Sequence, residues 1–182
     1  MVVREATCSI MQEKISHENK RPFSFLLQPS YDVEFTDIKS TSNNKDYVDP
    51  VETSIGKDGS QSTLTIKATV KKEIPQDMMC QTKFYRKDDG EFKTAIFTMG
   101  PVPCCEISKY DVFKRIIDTQ NVPKSCPFVP GTYSVDKYSF DRNRYKDVPR
   151  GEYLASFTAY LPTGDNTVIY GIDLNYKIVD KA

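Results

Sequence analysis

Histidine is almost missing from this chain. His17 is the only one in 182 residues, and a lone histidine in the polar stretch Glu13 to Arg21 reads as a solvated surface group rather than an acid–base centre. Glycine is scarce as well. The eight glycines are scattered at turns, and neither G-x-G-x-x-G nor G-x-x-x-x-G-K occurs, which leaves nucleotide binding without a phosphate-cradling loop. No C-x-x-C pair exists, so a structural zinc site lacks ligands at the usual spacing. Asp88-Asp89-Gly90 lacks the other positions of a calcium loop and reads as a turn. With no nucleophile beside a base and no metal cluster, the expectation is a protein that is not an enzyme and needs no cofactor.

An excess of charge of either sign is missing too. Lys plus Arg number 25 and Asp plus Glu number 25, so no global field draws the chain to nucleic acid, and no nucleic-acid partner is expected. No run approaches the roughly 20 apolar residues of a membrane-spanning helix. The start, Met1-Val2-Val3-Arg4-Glu5, lacks the apolar stretch of a signal peptide, although a leader removed earlier would leave the same picture. The hydrophobic share is a low 38%, but it includes 10 Phe and 11 Tyr, whose large side chains suffice for an aromatic core. The length suits one domain, 1–182, with residues 1–22 a weakly determined N-terminal segment.

What is present begins with five cysteines: Cys8, Cys80, Cys104, Cys105 and Cys126. Disulfides fit them better than metal does. Cys104 and Cys105 precede an expected helix and Cys126 follows it, so one of the adjacent pair can close that loop onto Cys126 while the other meets Cys80. Which does which stays open, and Cys8 is left over. The alternative is a reduced cytosolic chain with buried thiols.

Period-two alternation dominates the rest. Leu64, Ile66, Ala68 and Val70 share one face of Thr63 to Val70; Val168, Tyr170, Ile172, Leu174, Tyr176 and Ile178 share one face of Val168 to Ile178. Turn residues at Asp88 to Glu91 and Pro162 to Asn166 join Met78–Lys87 to Phe92–Met99 and Tyr153–Leu161 to the last strand as hairpins. Ser24–Leu27, Tyr31–Phe35 and Tyr133–Phe140 read as further strands, and polar Thr41 to Ser60 as an exposed loop. One helix is expected over Lys109 to Gln120, with Ser108 as N-cap and an apolar stripe of Ile107, Tyr110, Phe113, Ile116 and Ile117, lying across the mouth or flank of the sheets. Seven or eight antiparallel strands with one helix predict an all-β sandwich.

Two stretches invite a functional reading. Asp141 to Arg150 is locally basic, and Arg142, Arg144 and Lys146 there would suit an acidic headgroup or a membrane surface, unless they are simply solvated. The aromatic strand faces, with Phe84, Phe97, Phe140, Phe157 and Tyr170, fill a core or line a pocket; periodicity does not distinguish the two.

A more specific pattern is Cys126-Pro127-Phe128-Val129-Pro130-Gly131-Thr132-Tyr133-Ser134, which resembles the C-P-F-x-x-G-T-Y-S stretch of the lysosomal ganglioside-activator family. The likeness continues through Pro149-Arg150-Gly151-Glu152-Tyr153 and the closing strand Ile172-Asp173-Leu174. A helix that opens after cysteines and ends before Cys-Pro is also similar to insect chemosensory relatives within the same ML-type lipid-recognition group. The resemblance is good over 126–178, a matter of pattern over 60–125, and slight before that. It implies an immunoglobulin-like β-cup, secreted or lysosomal, that carries a lipid or other hydrophobic ligand between splayed sheets without catalysis. Transient membrane contact and a receptor protein are the further partners it implies. Such a pocket would be lined by the five aromatics above with Ile66, Phe113, Ile116, Phe128, Tyr133 and Ile172. The family cysteine of the closing strand falls at Gly171 here, which fits the leftover Cys8. The rival expectation is a secreted protein-binding module with a filled core.

Overall fold

The structure, a computed structural model, describes residues 31–141 and 147–180. The expected strand Ser24–Leu27, Cys8, His17 and the rim candidates Arg142, Arg144 and Lys146 lie outside the described residues. Among the described residues, eight strands, a 3-10 turn and one helix make an open sandwich. Strands β1 (Tyr31–Asn43), β4 (Met79–Arg86), β5 (Ala95–Pro103), β7 (Gly151–Leu161) and β8 (Thr167–Asp180) form an antiparallel sheet in the order β1-β8-β7-β4-β5. Strands β2 (Glu52–Asp58), β3 (Gln61–Val70) and β6 (Gly131–Tyr138) form the second, in the order β2-β3-β6.

Turn chemistry sets the hairpins where the sequence places them. Asp89 and Gly90 both take left-handed backbone, φ 47° and 83°, as a tight turn matched to strand twist requires, and Asp88 and Glu91 exchange backbone hydrogen bonds of 2.9 Å. The loop expectation for Thr41 to Ser60 needs correction: β1 runs on to Asn43, and Glu52–Asp58 is an edge strand paired with β3. Glu52, Ser54, Gly56 and Asp58 face water while only Thr53 and Ile55 are half-buried. A polar edge strand of this kind carries almost no hydrophobic signal, and its pairing with β3 defines it.

In β8 the alternation holds from Ile178 back to Tyr170 and then slips. Ala159 pairs with Tyr170 but Tyr160 pairs with Val168, a bulge at Ile169. Ile169 is therefore fully buried and Val168 is 38% exposed, the reverse of the expected faces.

Two tyrosines anchor the strands that follow the Pro-Gly turns. The Tyr153 hydroxyl donates to the Pro149 carbonyl at 2.6 Å and the Tyr133 hydroxyl to the Val129 carbonyl at 2.9 Å, so each ring folds back on the turn that launches its own strand. Tyr153 is buried. Tyr153→Phe leaves the Pro149 carbonyl short of a donor and should lower stability by about 1–2 kcal/mol in a thermal melt, with a smaller loss for the more exposed Tyr133→Phe.

The sheets meet closely on one side only. There β1 lies against β2 and β3, and the Phe35 amide donates to Ser62 Oγ at 3.0 Å. On the other side, between β4–β5 and β6, the gap is spanned by the segment 104–128. Its first part is a 3-10 turn, Cys104–Lys109, followed by the helix α1, Asp111–Thr119. Tyr110, with no side-chain cap bond, occupies the N-cap position, so Ser108 belongs to the preceding turn and does not cap α1. The helix is correspondingly shorter than Lys109 to Gln120.

Two disulfides and a set of short hydrogen bonds fix the ends of this span. Cys80 is bonded to Cys104 and Cys105 to Cys126, and the Cys104 amide donates to the Met78 carbonyl at 2.8 Å. At the far end the Ser134 amide donates to the Asn121 carbonyl at 2.7 Å and the Asp136 amide to Gln120 Oε1 at 2.7 Å. The first pair of contacts holds the span to β4 and the second to β6. Both bonds fall on the cysteines expected to pair.

Gly171, where a family cysteine would stand, sits under β1. A Cβ there would come within 2.5 Å of Thr41 Oγ1 and 2.8 Å of Ser42 Oγ, so β1 packs on the closing strand at a distance that suits glycine.

Candidate functional site: an apolar cavity between the sheets

The core is divided. One buried cluster includes Val48, Ile74, Met78, Ala159, Leu161 and Ile169; the other includes Val33, Phe35, Tyr153, Tyr176 and Ile178. Between them lies a cavity of about 300 Å³, lined by both sheets and by the 104–128 span. That is the lower end of the range for small-molecule sites.

Strand register explains the space. Three rows of cross-strand partners face inward from the larger sheet: Phe84, Ala155 and Leu174; Thr82, Phe157 and Ile172; Cys80, Ala159 and Tyr170. On β7 the middle of each row is thus Ala, Phe, Ala, and the opposing β3 presents Ala68 between Ile66 and Val70. Ala68 and Ala155 both line the cavity, and each leaves room that Leu or Ile would fill. Helix α1 completes the wall with Val112, Phe113, Ile116 and Ile117, none fully buried by its neighbours. Phe113 meets Phe157 with ring centroids 6.0 Å apart, and Phe157 meets Tyr170 at 5.5 Å.

Of the residues expected around a pocket, the structure brings Ile66, Phe84, Phe113, Ile116, Phe128, Tyr133, Phe140, Phe157, Tyr170 and Ile172 to this one cavity wall. Phe97 is a correction. It pairs with Phe84 across β4–β5, with ring centroids 5.8 Å apart, but β5 is the outer strand of its sheet and Phe97 is 58% exposed. A side chain on the inward face of an edge strand needs something across from it to be buried, and the second sheet has only three strands. Residues not foreseen include Leu64, Val112, Ile117, Val122, Tyr138 and Thr82. Thr82 was legible from the alternation Cys80, Thr82, Phe84; the loop residue Val122 carried no signal.

The wall is apolar and nearly uncharged. Among the described residues that line the cavity only Lys124 bears a charge, and it is exposed, beside exposed Ser125 and Cys105 at the mouth. Burial pushes the Tyr170 phenol up to about 12, since a phenolate there would face hydrocarbon. The neutral form is the one the fold favours. Its contribution to stability is full below the ordinary tyrosine value near 10 and is lost as pH rises through about 12. In an ultraviolet titration Tyr170 should be among the last tyrosines to ionise, and Tyr170→Phe should remove a step near pH 12; a step lost near pH 10 would show the phenol open to water.

With the geometry fixed, the sequence was compared with known proteins. Residues 80–155 match a family model. Its description is "Protein of unknown function (DUF1091)", and the matched span runs from the start of β4 through the 3-10 turn, α1 and β6 into β7. It holds all four disulfide cysteines, and much of the cavity wall. The match accords with the chemosensory, ML-type side of the resemblance. The search of curated proteins found no match.

Proposed function

We propose that the protein is a non-catalytic carrier that binds a lipid or other hydrophobic small molecule between its sheets and transports or presents it. The cavity is the observation that carries this reading. Apolar surface that side chains leave uncovered between the sheets forfeits packing contacts and destabilises the fold, and here about 300 Å³ is left unfilled. Whole domains are stable by only about 5–15 kcal/mol. A ligand that fills the wall offsets that loss, and no polar catalyst is required of it.

A secreted or lysosomal location accompanies the proposal. Two disulfides persist where the surroundings are oxidising, and no helix among the described residues is long and apolar enough to cross a membrane. The likeness to ganglioside activators and their insect chemosensory relatives points the same way. Transient contact with a membrane or a receptor would then serve loading and delivery.

A second reading has one observation of its own. Ile96 and Phe97 are 59% and 58% exposed on edge strand β5, which suits a secreted protein-binding module acting through its surface. Native mass spectrometry with organic extraction separates the two. The carrier should release an apolar molecule on denaturation or, once stripped, take up a fluorescent fatty acid or phospholipid; a protein that does neither leaves the surface module standing.

A further inference from the structure

Two hydroxyl groups in the cavity wall have no hydrogen-bond partner among the described residues. Thr82, on the central part of β4, is 4% exposed and lines the cavity. Its Oγ1 finds no hydrogen-bond partner. Tyr170 lines the same cavity, and its ring contacts Phe157 while its hydroxyl takes part in no hydrogen bond among the described residues. For Thr82 the buried, unpartnered hydroxyl is destabilising, and valine would fill the same volume without that penalty.

Register places the two on opposite sides of one ring. Thr82 is the cross-strand partner of Phe157, Phe157 of Ile172, and Tyr170 lies two residues along β8 from Ile172 on the same face. A ligand lying over Phe157 therefore reaches both. The Thr82 side chain lines the cavity while less than 1 Å² of Oγ1 is accessible, so the proposal requires the hydroxyl to turn about χ1 to meet a ligand.

We infer, resting on the carrier reading above, that the ligand is an oxygenated apolar molecule whose neutral hydroxyl, carbonyl or ester group is hydrogen-bonded inside the cavity by Thr82 and Tyr170. A pure hydrocarbon would leave both hydroxyls unpaired. A carboxylate or phosphate at this depth would lose its hydration with no cation to meet it, because Lys124, the one charged lining residue, is at the mouth. Tyr170, held neutral by burial, offers a donor to an alcohol or carbonyl oxygen, and Thr82 offers a donor or an acceptor.

The test is displacement of N-phenyl-1-naphthylamine from the full chain by 1-decanol, methyl decanoate and decane, on the parent, Thr82→Val and Tyr170→Phe. The expected result is that each substitution weakens 1-decanol and methyl decanoate about 3- to 10-fold and leaves decane within about twofold. Melting temperatures of the variants confirm that each is folded, and Thr82→Val should melt no lower than the parent. If decane weakens as much as the oxygenated ligands, or if all three are unaffected in both variants, the inference fails while the carrier reading stands. If nothing displaces or binds in the parent, both fall together.

Discussion

Ile116→Trp should abolish uptake of a fluorescent fatty acid or phospholipid while leaving the melting temperature within about 2 °C of the parent. Ile116 sits on the inner face of α1, half-buried, where it lines the cavity and touches the second core cluster. In a filled core the larger indole would overpack by about 1–3 kcal/mol, and a protein of this size would lose about 2–4 °C for each of those. Across a cavity of about 300 Å³ the same ring has space to enter, and the volume it takes is the volume a ligand needs. Isoleucine and tryptophan have similar helix propensities, so α1 itself is little changed. Calorimetry and a fluorescence titration on the same preparation decide the matter. A lowered melting temperature together with no uptake by the parent would end the carrier reading.

Removing the Cys105–Cys126 bond with paired serine substitutions should have the larger effect on stability, about 3 kcal/mol, from loop-closure entropy over a sequence separation of 21. The melting temperature should drop by roughly 6–12 °C. The bond also closes the loop that contains α1, so a bound apolar probe should dissociate at least several-fold faster than from the parent. Thiol titration of the unfolded, unreduced parent provides the control: at most one reactive group, from Cys8, fits the two disulfides. Five reactive thiols would remove the disulfides and the oxidising compartment together.

The parts of the molecule legible in the sequence share one property, that local chemistry decides them. Alternation gave β3 and most of β8 their inward faces, because side chains one residue apart on a strand point to opposite sides whatever the strand packs against. Asp89-Gly90 gave a turn because both residues accept positive φ. Cysteine spacing gave the four bonded cysteines once a helix was placed before Cys126, and left the choice between Cys104 and Cys105 to the structure. The failures share a different property. Strand β2 has one large apolar residue, Ile55, and becomes a strand through its ladder to β3. Ser108 has the right chemistry for a cap, but the chain stays in a 3-10 turn there, tied to β4 through Cys104, and enters the α-helix three residues later. Val168 and Ile169 exchanged faces because a bulge between β7 and β8 inserts one residue, which shifts every side chain on one side of it.

By itself the sequence determined that this is an antiparallel all-β protein with an aromatic interior, one short helix and a pair of disulfides, since periodicity, turn residues and cysteine spacing are properties of neighbouring residues. Whether its inward aromatics fill a core or surround a space was decided only in three dimensions. Phe84 and Phe97 are direct partners with the same residue type and the same facing, yet one lines the cavity and the other is exposed, because β5 is an outer strand with no partner sheet across from it. Ala68 and Ala155 are unremarkable along their own strands, and it is their placement on facing sheets, with α1 spanning the open side, that leaves about 300 Å³ unfilled by side chains.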